Sequence, residues 1–313
     1  MSESGWNTID SDAGLFTELV EKLGVENIEI NDLYSIDAET LRAVSPVYGI
    51  VFLFKYGNLD RTYAKSNQPI TGTYDANYLE KQVFFANQTI RDACATQAVL
   101  NILFNLDNVN LGEELNNFRS FVAGFDAEMI GETISNSDVI RSVHNSFSTP
   151  SMLAIDKKPP SDNHDDKNDG LFHFVGYIAK NGELYELDGL KQFPISHGSC
   201  NTQEEFIEKI PSVIQERIAK YDASELRFSL LAVTNDKLAA ARNAGDAVEV
   251  ESQLMKRQMW HRENELRKTD YTGLIVQLLK NIARESSDEE WEALLQKGRN
   301  STQEMMAASI RKS

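Results

Sequence analysis

The sequence predicts an α/β (α+β) body followed by an all-helical C-terminal extension. Two observations predict the body: apolar runs rich in β-branched and aromatic residues, and stretches of helical spacing that alternate with them. A third predicts the extension. Near Asn235 the strand-like runs stop, alanine and charge increase, and helix formers dominate to the end. The boundary is set at 235, giving a body of residues 1–235 and a tail of 236–313.

The elements follow in chain order. Leu15, Phe16, Leu19, Val20 and Leu23 fall on one helical face, which Gly24 terminates. Tyr48–Tyr56 is a continuous apolar run between Pro46 and Gly57, the pattern of a strand buried on both faces. Ala93–Leu106 is helical, with Ala95, Ala98, Val99, Ile102, Leu103 and Leu106 on one side. The charged stretch 148–170 contains Pro159-Pro160 and ends on Gly170, so a long solvated loop is expected there. Leu171–Ile178 then reads as a strand. In the tail, Tyr271, Leu274, Ile275, Leu278, Leu279 and Ile282 recur at i, i+3, i+4, i+7, i+8 and i+11, a strongly amphipathic helix. So short a tail cannot hold a core alone and is expected to dock on the body or on a partner.

Composition excludes several classes. The chain has 313 residues, 41% hydrophobic, and a net charge of -17 that lies ahead of residue 250. Such an acidic body repels phosphate backbones, so no nucleic-acid partner is expected. There is no run of 18 apolar residues and no basic, apolar-cored leader, so neither a membrane partner nor a secretory signal is expected. Two cysteines, Cys94 and Cys200, make neither a disulfide scaffold nor a zinc ribbon. No CxxC, HxxxH, EF-hand loop, phosphate loop or G-x-S-x-G elbow occurs. No metal and no cofactor are expected.

Chemistry concentrates at Gln88–Ala98. Thr89 or Asp92 is a candidate helix cap, which places Cys94 in the first helical turn, where the dipole favours thiolate. A small core cysteine would read the same way. A thiolate nucleophile needs an imidazole, and among the five histidines only His173 lies in a strand whose pairing is derivable. Asn181-Gly182 marks a two-residue hairpin turn. Lys180 then opposes Glu183, and Val175 opposes Asp188. His173, two residues before Val175, shares that face and becomes the diagonal neighbour of Asp188, roughly 7–8 Å away along the backbone. Asp188 is thus placed to fix the imidazole's tautomer and steady its positive charge. Backbone N–H groups at the helix start and the side chain of Gln88 are candidate oxyanion donors, although a surface glutamine is the ordinary reading of Gln88.

With Gln88, Cys94, His173 and Asp188 in order, the chain resembles the ubiquitin carboxyl-terminal hydrolases, a family of papain-like cysteine peptidases. Gly5-Trp6 with Phe16 and Leu19 resembles the family's N-terminal segment, Gln88–Ala98 its nucleophile motif, and His173-Phe174-Val175 and Leu184–Leu190 its histidine and aspartate motifs. The similarity covers residues 6 to about 235. Arg227–Val233 and the tail motif Arg267–Lys280 resemble the proteasome-associated branch, isozyme L5, with its DEUBAD-type helical domain. The Lys/Glu-rich end of the animal members is replaced here by Arg299–Ala308.

The resemblance implies a knotted papain-like fold with a central antiparallel sheet flanked by helices. It implies a thiol deubiquitinase in which Cys94 attacks, His173 transfers protons, Asp188 orients His173 and Gln88 helps hold the oxyanion. It implies that 148–170 is a crossover loop above the site. It further implies ubiquitin as partner, a proteasomal ubiquitin receptor or regulatory particle bound through 236–313, and a cytoplasmic and nuclear location. Two alternatives remain: a ubiquitin-binding scaffold with silent catalysis, and thiol-dependent acyl transfer to an amine.

Overall fold

The computed structural model describes residues 5–148, 172–222 and 227–311, apart from the side chains of Arg91 and 302–311. Beyond Ser148, the expected loop at 148–170 lies outside the described residues. So does His164.

Among the described residues seven strands form one sheet: β1 Ile28–Asp32, β2 Val47–Lys55, β3 Thr73–Tyr74, β4 Phe172–Lys180, β5 Glu183–Leu187, β6 Ile195–Ser199 and β7 Ser229–Asn235. Their order is β1-β7-β2-β4-β5-β6-β3, and every pairing is antiparallel. The helices of the first half are α1 Ala13–Lys22, α2 Ala38–Ala43, α3 Asn58–Lys65, α4 Cys94–Leu103, α5 Gly112–Phe121, α6 Ala127–Asn136 and α7 Asp138–Asn145. After them come α8 Gln203–Ile218, α9 Lys237–Ala244, α10 Ala247–Lys268, α11 Thr272–Glu285 and α12 Asp288–Arg311.

Strand alternation gives the sheet two apolar faces, and helices cover both. On one face Val51, Phe174, Ile178, Leu187 and Val233 pack with α1 and α4. On the other, Ile50, Phe52, Phe54, Val175 and Tyr177 pack with Phe206, Ile207, Ile210 and Ile214 of α8. Two glycines let α4 approach closely: a Cβ at Gly49 would lie 2.8 Å from Ile102, and one at Gly176 would lie 3.0 Å from the same side chain.

Asn181 (φ 50°) and Gly182 (φ 82°) make the expected turn, and the β4–β5 register runs Lys180↔Glu183 to Gly176↔Leu187. One step further along this register, Val175 falls opposite Asp188, as the turn chemistry required.

The described residues up to Lys268 form one compact unit, and those from Thr269 onward a second. β7 ends at Asn235, while α9 and α10 pack with the body. Polar groups hold α10 there. Lys256 pairs with the buried Glu29 at 2.7 Å, Arg257 with Asp236 at 2.8 Å, and Arg267 with Asp12 at 2.7 Å. Trp260 lies over Gly14, where a Cβ would come within 2.4 Å of the indole. In the second unit, α11 has no buried residue; Leu274 is 57% exposed and Leu278 52%.

Candidate active site

Cys94 is the first residue of α4. The expected caps do not form. A 3₁₀ turn, Arg91–Ala93, leads into the helix, the capping position is Ala93, and no side chain bonds there. Thr89 is engaged elsewhere, its Oγ1 2.6 Å from Ser135 Oγ. Cys94 is nevertheless where the sequence put it, half-buried at a helix start whose N–H groups point outward.

His173 and Asp188 are both buried, and Nε2 of the ring lies 2.7 Å from Asp188 Oδ1. The same carboxylate oxygen accepts the Leu190 N–H at 3.0 Å, which fixes the aspartate at the end of β5. With Nε2 committed, Nδ1 is the ring nitrogen left for the thiol, and Cys94 is near enough to favour a charged ring. Two rings complete the socket edge-on: Phe54 at 5.6 Å and Tyr56 at 5.9 Å from the imidazole.

Burial alone would lower the pKa of the His173 ring. The charge and hydrogen bond of Asp188, helped by Cys94, overcome it and raise the value to about 9. Burial likewise opposes ionisation of Asp188, but His173, then Arg217 and Lys191, bring it down to about 2. The pair is therefore imidazolium and carboxylate across the neutral range, which suits a thiolate neighbour.

Gln88 lies beside this pair. Its N–H donates to the carbonyl of Gly189 at 2.8 Å, one residue beyond Asp188. Thus Cys94, His173 and Asp188 converge, and Gln88 is tied to the strand end that carries the aspartate.

The other histidines are engaged differently. His144 is buried between Thr96 (2.7 Å from Nδ1) and the Asn7 carbonyl (2.6 Å from Nε2), and burial lowers its pKa to about 4 despite the Asn7 bond. It is a neutral core histidine. His261 pairs with Glu18 at 3.0 Å on α10. For His197 the turn argument gave no acidic partner, yet it meets Glu186 at 3.3 Å. A register shift between Glu183 and Tyr185 separates β6 from simple hairpin arithmetic.

Sequence reasoning also missed the buried cluster behind the site. Arg217 of α8 pairs with Glu186, stands 3.8 Å from Asp60, and stacks 4.4 Å over Phe54. The available signal was position: Arg217 falls on the stripe of Phe206, Ile210 and Ile214, where an apolar residue is expected.

A helix-start thiol, an imidazole and a bracing carboxylate on an antiparallel sheet are the arrangement of a papain-like cysteine hydrolase. Residues 6–219 match the model of ubiquitin carboxyl-terminal hydrolase, family 1, and residues 247–287 match the C-terminal model of ubiquitin carboxyl-terminal hydrolases. The chain belongs to this family and is a cysteine-type deubiquitinase. It is similar to ubiquitin carboxyl-terminal hydrolase 2 of Schizosaccharomyces pombe, 40% identical over 93% of this chain and 95% of that protein. It is 42% identical to isozyme L5 of Dictyostelium discoideum over 76% of this chain and 64% of that protein. Among solved structures it resembles the catalytic domain of Trichinella spiralis UCH37 bound to ubiquitin vinyl methyl ester. That match has a TM-score of 0.62 and 32% identity, and covers 74% of this chain and 95% of that one.

Proposed function

We propose that this enzyme cleaves the amide or isopeptide bond after the C-terminal glycine of ubiquitin, at the proteasome's regulatory particle, in cytoplasm and nucleus. Residues 1–235 carry the chemistry, and 236–313 carry attachment to a proteasomal ubiquitin receptor. The observation that carries the catalytic part is the His173–Asp188 contact of 2.7 Å, with Cys94 at the start of α4 near enough to favour the charged ring.

The steps follow from the charges. Cys94 Sγ, as thiolate beside imidazolium, attacks the glycine carbonyl. Gln88 and the Cys94 N–H hold the oxyanion. His173 gives its proton to the leaving amine, and the acyl-enzyme forms as the C–N bond breaks. Neutral His173 then takes a proton from water, whose attack releases free acid and thiol. Asp188 stays ionised and keeps the ring oriented. The attachment reading is supported by the unburied apolar residues of α11.

Replacing Cys94 with Ala is expected to abolish hydrolysis of ubiquitin amides and labelling by an electrophile-tipped ubiquitin, with the label mapping to residue 94 in the parent. Undiminished turnover by Cys94→Ala would overturn the assignment. Attachment is tested separately, by co-sedimentation of the full chain with regulatory particles.

A further inference from the structure

Residues 87–89 run through a slot with a glycine in each wall. On one side stands α6. The Asn87 N–H donates to the Ala127 carbonyl at 2.8 Å, and Thr89 Oγ1 to the Gly131 carbonyl at 3.4 Å. A Cβ on Gly131 would lie 1.9 Å from the Asn87 oxygen. On the other side stands the turn after β5. The Gly189 carbonyl accepts the Gln88 N–H at 2.8 Å and Asn87 Nδ2 at 3.3 Å, and Asn87 Nδ2 also reaches the Lys191 carbonyl at 2.6 Å.

Gly189 presses directly on Gln88. A Cβ there would lie 3.0 Å from Gln88 N, 3.1 Å from Gln88 Cβ and 3.3 Å from Gln97 Nε2. Gln97 cannot simply retreat, because its Nε2 donates to the Ala86 carbonyl at 2.9 Å. The backbone of Gly189 is not in the left-handed region, so conformation does not demand glycine at this position. Space does.

We propose that Gly189 is a positioning residue for Gln88: its missing side chain sets how deeply Gln88 sits, and so where its amide meets the developing oxyanion. The dipeptide Asp188-Gly189 then serves both halves of the site. Asp188 aligns the base, and Gly189 registers the oxyanion donor against it. The inference rests on the reading of Gln88 given above. An added methyl would displace Gln88 by a few tenths of an ångström, a shift that matters because oxyanion donors act over a window of about 2.7–3.1 Å.

The test separates chemistry that builds an oxyanion from chemistry that does not. Iodoacetamide alkylates the Cys94 thiolate by direct displacement: the C–S bond forms as C–I breaks, iodide leaves, and no oxyanion develops. In the full-length chain, Gly189→Ala is expected to lower kcat on a fluorogenic ubiquitin amide about tenfold. KM should stay within about twofold and the alkylation rate at Cys94, mapped by peptide mass, should be unchanged. In a Gln88→Ala background the same substitution should cost no further activity. Asn87→Ala loosens the same strap without adding volume. It should also lower kcat and spare alkylation, so the question stays answerable if Gly189→Ala folds poorly.

If Gln88→Ala lowers kcat while Gly189→Ala and Asn87→Ala do not, the inference falls and the role of Gln88 stands. If Gln88→Ala itself leaves kcat intact, the role of Gln88 falls and takes the inference with it. If alkylation declines together with kcat, Gly189 acts through the thiol–imidazole pair, and the inference is again overturned.

Discussion

Two buried ion pairs stand side by side on one face of the sheet. Asp188 holds His173 at the end of β5. Two residues earlier, Glu186 holds Arg217 and also receives the Tyr177 hydroxyl at 3.0 Å and His197 at 3.3 Å. Both carboxylates are driven below their ordinary values against the cost of burial. Their surroundings differ in one respect. The inner pair is bonded only to groups that stay in the fold, whereas the outer imidazole also meets the half-buried thiol of Cys94. Burial and perturbed charge mark both pairs; a thiol stands beside only the outer one, the pair to which the proposed chemistry is assigned.

The largest effect is expected at the outer pair. Asp188→Asn should lower kcat/KM on the order of 10³-fold. With the carboxylate gone, the strongest opposition to burial at His173 is lost and only Cys94 still favours the charged ring. The alkaline limb of the pH–rate profile should therefore move down from about 9, and a limb left near 9 would erase the contrast.

At the inner pair, Arg217→Met should cost about 3–5 kcal/mol of stability by stranding a buried carboxylate. Adding Glu186→Gln should restore most of it, as read by denaturant unfolding. The contrast would collapse if Arg217→Met left stability intact.

A pH series should sharpen it further. The raised value of His173 contributes stability that is full below 6.5 and is lost as pH climbs through about 9. The depressed value of Asp188 contributes stability present above 3.8 and lost as pH falls through about 2. Arg217 keeps its charge throughout, so the alkaline loss of melting temperature should disappear in Asp188→Asn and persist in Arg217→Met/Glu186→Gln.

The smallest effect on stability is expected in the second unit. Leu278→Asp on the exposed face of α11 should change stability by under about 0.5 kcal/mol, yet abolish co-sedimentation with regulatory particles.

Much of this was written locally in the sequence. Asn181-Gly182 fixes a turn, the turn fixes a register, and the register brings Asp188 to His173 with no reference to the rest of the chain. Cys94 was legible because helix starts are local too. The capping pattern misled, since Thr89 had a partner across the fold, at Ser135 on α6. Arg217 was hidden for the converse reason: its partners Asp60 and Glu186 come from separate parts of the chain, and no periodicity encodes such a meeting. Gly189 shows in the sequence only as part of a motif, because its crowding by Gln88 and Gln97 exists only once the strands have assembled. In the tail, the helix of clean apolar spacing, α11, buries nothing, whereas the highly charged α10 is held by ion pairs with Glu29, Asp236 and Asp12.

The strand order constrains how a ribosome can deliver this enzyme. β7, the final strand, inserts between β1 and β2, the first two. Among the described residues β1 has no other strand partner, and β2 lacks one of its two, until Ser229–Asn235 has emerged. During that interval the unsatisfied edges of β1 and β2 invite intermolecular pairing. A chain ended before β7 therefore carries open strand edges and is expected to aggregate rather than act as a partial hydrolase.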